Sequence, residues 1–188
     1  MDSKIDKLKE LTLYVADACW QAPHYGVLKL NKILFFCDFY AHMIWGHSLT
    51  GAAYVKLEHG PAPRGIEAVK KKLEEAKPQE AYDYHVPSSS ADPDDQQRLL
   101  LPLRKPRTDA FTDAEKALID KIIKANRNKS GNELSNLSHE MLAWKMANIG
   151  EEIPYYTVCL PDDPKSVALT TEEREWVERT AGTAAAAA

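Results

Sequence analysis

The chain has 188 residues, of which 44% are hydrophobic and 28% charged, and this balance predicts one globular domain with a core of its own. Its formal net charge of −4 argues against a nucleic-acid-binding protein, because such proteins usually carry a basic face or a basic total. No apolar run approaches the roughly 18 residues that cross a membrane, and the N-terminus lacks the apolar core of a signal peptide. We therefore expect neither a nucleic-acid partner nor a membrane location.

The first part of the chain predicts two long helices. Residues 3–20 place apolar side chains on one stripe at helical spacing, with Ser3 as a candidate cap and Pro23 beyond the end. Residues 26–46 are apolar on almost every side, which is typical of a central, buried helix. The few polar residues of this second helix must therefore find partners inside the protein.

The middle of the chain predicts short strands around a third helix. The two prolines and the glycine of residues 59–63 predict a sharp connector without regular structure. A helix is expected over residues 64–76, because Pro78 ends the helical pattern there. A polar loop separates the last two of the three predicted strands, which cover residues 53–57, 81–86 and 99–103.

The second half of the chain is again helical. Thr112 opens a helix that continues to residue 124, with Glu115 at the capping-box position. Further helices are predicted over residues 132–148 and 171–179, and the last precedes an alanine-rich tail. The predicted fold is α+β and mainly α, with five to six helices and an antiparallel sheet of about three strands. We expect residues 1–160 to form the domain and residues 161–188 a C-terminal extension.

The cysteines and histidines raise the question of a metal or a catalytic thiol. Cys19, Cys37 and Cys159 are odd in number and form no CxxC pair, which indicates free thiols in a reducing compartment and hence a cytoplasmic protein. Zinc sites usually show close-spaced ligand pairs such as HExxH or CxxC, and the chain has neither. The sequence also lacks the glycine-rich motifs that bind nucleotides. We predict no metal and no cofactor.

Cys37 with His139 and a carboxylate would resemble a thiol triad, and His59 is a second candidate imidazole. Cys37, however, follows two phenylalanines, where a small buried thiol is the common outcome. We therefore predict no catalytic residue, and an enzyme using Cys37, His59 or His139 is the less favoured alternative.

A structural interpretation competes for the same polar residues. In it, His139 bonds a neighbouring helix or the connector at residues 59–61, and Trp144 packs nearby as an apolar anchor. Glu140 then stays in solvent or neutralises a lysine of residues 26–46. This interpretation predicts that the connector and residues 138–140 touch, and that they hold the helices to the small sheet.

An ordered set of motifs runs along the chain. It starts with Lys29-Leu30-Asn31-Lys32-Ile33-Leu34-Phe35-Phe36, then Gly46 to Tyr54, then His59-Gly60-Pro61. It continues with Thr112 to Glu115, Glu133-Leu134-Ser135, Ser138-His139-Glu140, Trp144 and Ile153-Pro154-Tyr155. No single motif is diagnostic, but the ordered set resembles the SocA-like antitoxin domain, also called Panacea, over roughly residues 5–157. The motif residues that we single out are Lys29, Lys32, His59, Gly60, Pro61, Ser138, His139, Glu140 and Trp144.

The resemblance implies a prokaryotic, in some cases phage-related, antitoxin of a type II toxin–antitoxin system. Its partner would be a toxin encoded nearby, neutralised by direct protein contact, and members of the family are paired with unrelated toxins. In one branch the antitoxin instead delivers the toxin to a protease, and this adaptor role is the main alternative. Some members carry an N-terminal DNA-binding part; the shared domain starts so early here that we expect none.

Aromatic and arginine side chains are favoured at interfaces, so they are the candidates for contact with a toxin. For Tyr40 and Tyr54, packing in the core is an equal alternative. An acidic antitoxin also suits a basic toxin that acts on nucleic acids or nucleotides, because complementary charge raises the association rate. The candidate contact residues are Tyr25, Tyr40, Trp45, Tyr54 and Arg64.

Overall fold

The computed structural model of the chain describes residues 3–87 and 96–160. The helices in this part are α1 (Ser3–Cys19), α2 (Val27–Trp45), α3 (Ile66–Glu75), α4 (Asp113–Asn126), α5 (Gly131–Glu140) and α6 (Leu142–Met146). The strands are β1 (Tyr54–Leu57), β2 (Gly60–Pro63), β3 (Ala81–Pro87), β4 (Gln96–Pro102) and β5 (Glu152–Ile153). Short 3-10 helices cover Thr108–Ala110 and Tyr155–Cys159. The predicted fold class, α+β and mainly α, is confirmed.

Helix α2 lies at the centre of the fold, as its apolar sequence predicts. It packs against α1, α4, α5, β2 and β4 and against the 3-10 helix at Tyr155–Cys159. The rings of Phe35 and Phe39 lie 4.1 Å apart, and the ring of Tyr54 meets both edge-on. Gly46 ends the helix in a left-handed conformation, and its N–H donates to the carbonyl of His42.

The first sheet has the strand order β2-β1-β5 and is antiparallel throughout. The expectation that residues 59–63 lack regular structure is wrong, because Gly60–Pro63 form strand β2 opposite β1. Prolines cannot donate to a ladder, but β2 is an edge strand and needs donors on one side only. The prolines therefore predict a break in regular structure at a place where the fold has an edge strand.

The second sheet is a separate hairpin of β3 and β4, which runs from Ala81 opposite Pro102 to Pro87 opposite Gln96. The two later strands are therefore confirmed as a pair, but they do not join β1. The three-stranded sheet draws its third strand, β5, from the segment that follows α6.

The predicted helix over residues 132–148 is divided at Met141, where the backbone is extended with φ −66 and ψ 138. No proline or glycine marks the break, so tertiary contacts override the local helical pattern. Helix α4 begins as predicted, with a complete capping box between Thr112 and Glu115. The helix expected over 171–179 and the alanine-rich tail lie outside the described residues. Among the helices that the structure describes, none has both the length and the apolar character needed to cross a membrane.

A buried carboxylate ties α2 to the first sheet. Asp38 accepts hydrogen bonds from the Thr50 N–H at 2.8 Å, the Thr50 hydroxyl at 2.6 Å and the Tyr54 hydroxyl at 2.8 Å. Burial raises the pKa of Asp38 to about 6, although its hydrogen-bond donors favour the charged form. The side chain therefore fixes the loop after α2 and the start of β1 against the centre of the fold.

Asp38→Ala is expected to lower the free energy of unfolding by roughly 3 kcal/mol, because it leaves buried groups of Thr50 and Tyr54 without their acceptor. Urea denaturation at pH 7.5 measures this loss. Glu75→Ala is the control, since it removes only a surface ion pair with Lys71 and should cost within about 0.5 kcal/mol. Equal losses for the two variants would contradict the role given to Asp38.

Candidate functional site

The family-like motifs converge where α2, β2, α5 and α6 meet. The Ser135 hydroxyl on α5 donates to the carbonyl of His59, and Lys32 Nζ on α2 donates to the carbonyl of Pro61 at 3.1 Å. Residues 59–61 and α5 therefore touch, but the contact is made by Ser135 and not by the predicted residues 138–140. His139 Nε2 finds no hydrogen-bond partner among the described residues. Ser138 donates instead to the Ser135 carbonyl within its own helix. We call this set the motif junction: Lys32, Lys56, His59, Gly60, Pro61, Ser135, His139 and Trp144.

Gly60 is required at the junction by both conformation and space. Its φ of +99 lies in the left-handed region, where side chains with a Cβ are strained. A Cβ at this position would stand 2.8 Å from Lys32 Nζ and 3.0 Å from Ser135 Oγ. Glycine therefore lets β2 approach the lysine closely enough to bond it.

Lys32 is a buried cation without a counter-charge among the described residues. Its side chain is only 1% exposed, and the Pro61 carbonyl is its hydrogen-bond acceptor. Burial lowers its pKa to about 7, so the ammonium is only partly charged at neutral pH. The lysine acts as a hydrogen-bonded tie between α2 and β2.

Lys29, one turn earlier on α2, is also buried and also bonds carbonyls. Its Nζ donates to the carbonyl of Pro23 at 2.9 Å and to that of Arg127 at 2.6 Å. Burial again lowers its pKa. Glu140 is exposed and forms no ion pair with a lysine of α2 within the described part of the chain, so it stays in solvent.

Stacked side chains from α5 and α6 form another part of the motif junction. The rings of His139 and Trp144 lie 4.2 Å apart and nearly parallel. Lys56 Nζ sits 4.5 Å from the Trp144 ring centre and donates to the carbonyls of Trp144 and Ala147, both at 2.9 Å. Burial, followed by the nearby charges of Lys32, Lys56 and His59, lowers the pKa of His139 and keeps its imidazole neutral at neutral pH.

The catalytic alternative finds little support in this geometry. Cys37 is fully buried in the core, and burial raises its pKa well above its ordinary value, which disfavours the thiolate. Cys37 lies in the hydrophobic core cluster, whereas His139 lies near Lys32 and Lys56 of the motif junction. Within residues 3–87 and 96–160, no group of three or more His, Cys, Asp and Glu side chains is arranged to hold a metal.

The candidate contact residues divide into core and surface. Tyr25 and Tyr54 are buried, and the Tyr25 hydroxyl donates to the Leu100 carbonyl at 2.8 Å. Tyr40 is exposed, Trp45 is half-buried beside His47, and Arg64 is exposed near Glu152. A rigid partner reaches only the last three without unfolding the domain.

Sequence reasoning missed an open apolar groove of about 490 Å³ between α2, α4 and α5. We call this feature the apolar groove; its apolar rim comprises Tyr40, Met43, Ile44, Leu118, Leu137 and Met141. One signal could have revealed it: residues 26–46 are apolar all round, yet no other predicted helix is hydrophobic enough to cover their final turns. Met43 and Ile44 are accordingly exposed.

Replacing Lys32 by Met is expected to flatten the pH dependence of stability between pH 7 and 10. Folding lowers the pKa of this amine from 10.5 to about 7, so the unfolded chain binds more protons across that window. The wild-type free energy of unfolding should therefore rise with pH there, and the variant should lose this part of the rise. Urea denaturation at pH 7, 8, 9 and 10 tests this, with the exposed Lys124→Met as control. A Lys32→Met slope equal to that of wild type would contradict it.

Gly60→Ala is expected to destabilise the fold more than Gly65→Ala. Both glycines have a positive φ, which costs roughly 1–2 kcal/mol for alanine, but a Cβ at Gly65 meets open space. At Gly60 the new methyl also collides with buried Lys32, which adds roughly 1–3 kcal/mol. Thermal denaturation of the two variants gives the comparison, and equal melting temperatures would argue against the close approach.

Comparison with known proteins identifies the family. The family model described as "Antitoxin SocA-like, Panacea domain" matches residues 30–145, more than half of the chain. The matched range contains the motif junction and the residues that line the apolar groove. No curated protein and no solved structure matches the chain. The chain belongs to the SocA-like, Panacea-domain family of antitoxins.

Proposed function

We propose that this protein is a non-enzymatic antitoxin that neutralises a cognate protein toxin by holding it in a stable complex, as in type II toxin–antitoxin systems. The observation that carries the proposal is the family match over residues 30–145. A toxin is the kind of partner that this family implies. We further propose that the toxin is encoded nearby, and that residues 1–160 form the unit that binds it.

The separation of internal motif residues from exposed apolar residues supports a binding function. The family-like residues Lys32, Gly60 and Trp144 make contacts within the protein: the first two join α2 to β2, and the third joins α6 to β1. The surface, in contrast, offers large exposed apolar side chains at Met43 and Ile44. An internal scaffold of fixed residues with a separate contact surface suits a family whose members are paired with unrelated toxins.

The environment of Cys37 favours this proposal over an enzyme. A buried thiol with a raised pKa is a weak nucleophile, and a substrate cannot reach it without unfolding α2. Cys19 and Cys37 are buried as free thiols and Cys159 is a free exposed thiol, which fits the proposed cytoplasmic setting.

Co-expression tests the proposal. Inducing the neighbouring gene alone should stop growth, and inducing it together with this chain should restore growth to within about twofold of uninduced cells. Affinity purification of the tagged chain should then yield both proteins in a fixed ratio by native mass spectrometry. The chain paired with an unrelated toxin is the control.

Two results would contradict direct neutralisation. Failure to restore growth, with the chain present and folded, would remove the antitoxin assignment. Restored growth with no complex, and with the toxin accumulating only in cells that lack a protease, would identify an adaptor instead.

A further inference from the structure

We propose that the apolar groove between α2, α4 and α5 is the surface that receives the toxin, and that its occupant is an amphipathic helix of the toxin with carboxylates beside its apolar face. This inference rests on the proposed function, because it assigns a place and a chemistry to the partner named there.

The exposed side chains of the groove argue that something covers it. Met43 is 47% exposed, Ile44 is 54% exposed and Leu137 is 40% exposed, although all three are large and apolar. Beneath them, Phe36 and Ile122 are almost fully buried and form a floor that belongs to the core. Contiguous apolar surface of this kind marks sites of protein contact more often than isolated exposed residues do.

The shape of the groove fits a helix of about two turns. Along α2 it extends from Phe36 to Ile44, which is about 12 Å at 1.5 Å per residue. Along α4 it extends from Leu118 to Asn126, which is about 12 Å by the same rise. A helix with apolar residues at i, i+3 or i+4, and i+7 presents anchors over roughly the same distance. We therefore expect two or three anchors in the groove.

The charged side chains at the rim of the groove indicate which charges should lie beside the apolar face of the bound helix. Lys121 and Lys129 line the groove, and no carboxylate does. Lys129 is partly engaged, because its Nζ donates to the carbonyl of Ala125 at 2.7 Å and to Asn126 Oδ1 at 2.9 Å. Lys121 forms no ion pair with a carboxylate in the part of the chain that the structure describes. This basic rim favours carboxylates on the segment that binds there, even where the toxin as a whole is basic and complements the net charge of −4 on this chain.

The same charges argue against a second copy of the chain as the occupant. In a symmetric dimer each groove would face its equivalent, which brings the two lysines of one rim to the two of the other. That arrangement places four positive charges together without a counter-charge from either groove.

The test uses the full chain and the toxin identified by co-expression, with affinity measured by isothermal titration calorimetry. Met43→Glu should weaken binding by at least about 30-fold, because it places a carboxylate where an apolar anchor packs. Tyr82→Glu is the matched control, since Tyr82 is also 47% exposed but lies on β3, outside the groove, and it should change the affinity by less than about threefold.

A second pair of variants tests the charge. Lys121→Glu should weaken binding by roughly 5- to 10-fold at low salt and by less at high salt. Lys124→Glu is its control on the same helix, because Lys124 is exposed but does not line the groove. Circular dichroism and thermal melting of all four variants establish that each is folded.

The possible outcomes distinguish a failure of the groove as the binding surface from a failure of the proposed antitoxin function. If wild type binds and neutralises the toxin and the groove variants bind it equally well, the groove is not the binding surface, but the antitoxin function is supported. Wild type that binds no toxin would overturn both. Two further results would also overturn the toxin-helix assignment. One is a dimer that Met43→Glu converts to a monomer, and the other is a cross-link from the new thiol of Met43→Cys to residues 161–188 of the same chain.

Discussion

The structure depends on one constraint: the charged side chains of α2 are buried, and each must find its partners inside the protein. Leaving a buried polar group without a hydrogen bond costs several kcal/mol, so each partner fixes the element that carries it. Lys29 holds the turn after α4, Lys32 holds β2, and Asp38 holds the loop that leads into β1. The bonds of Lys29 and Lys32 run to backbone carbonyls, so they do not depend on the side chain of the accepting residue.

Helix α2 consequently serves two purposes along its length. Its first half carries Lys29, which holds the turn after α4, and Lys32, which joins α2 to the motif junction. There Gly60 and Ser135 complete the contact with β2 and α5. Its second half ends in Met43 and Ile44, which no other described element covers. The same apolar helix therefore supplies both the centre of the scaffold and one wall of the apolar groove, so a bound partner would rest on the central helix of the core.

Local signals in the sequence are sufficient for α1 to α4 and for the central position of α2. All-round hydrophobicity identified a buried helix, and the spacing of Thr112 and Glu115 identified the start of α4. Contacts between residues far apart in the sequence determine strand β2 and the break at Met141. Strand β2 exists because an edge strand tolerates its prolines, and the break at Met141 coincides with the stacking of Trp144 on His139. The all-round hydrophobicity of α2 indicates that part of its surface stays uncovered, but the position of the groove depends on how α4 and α5 pack against α2, which periodicity does not give.

Direct binding of a toxin in the apolar groove would shield the side chains that line it. Hydroxyl-radical oxidation of the chain's own methionines tests it, because Met43 lies in the groove and the similarly exposed Met146 lies on α6, outside it. On saturation with the toxin, we predict that oxidation of Met43 falls by at least about fivefold while that of Met146 stays unchanged. Unchanged oxidation of Met43 in a stable complex, or protection of Met146 alone, would contradict the account.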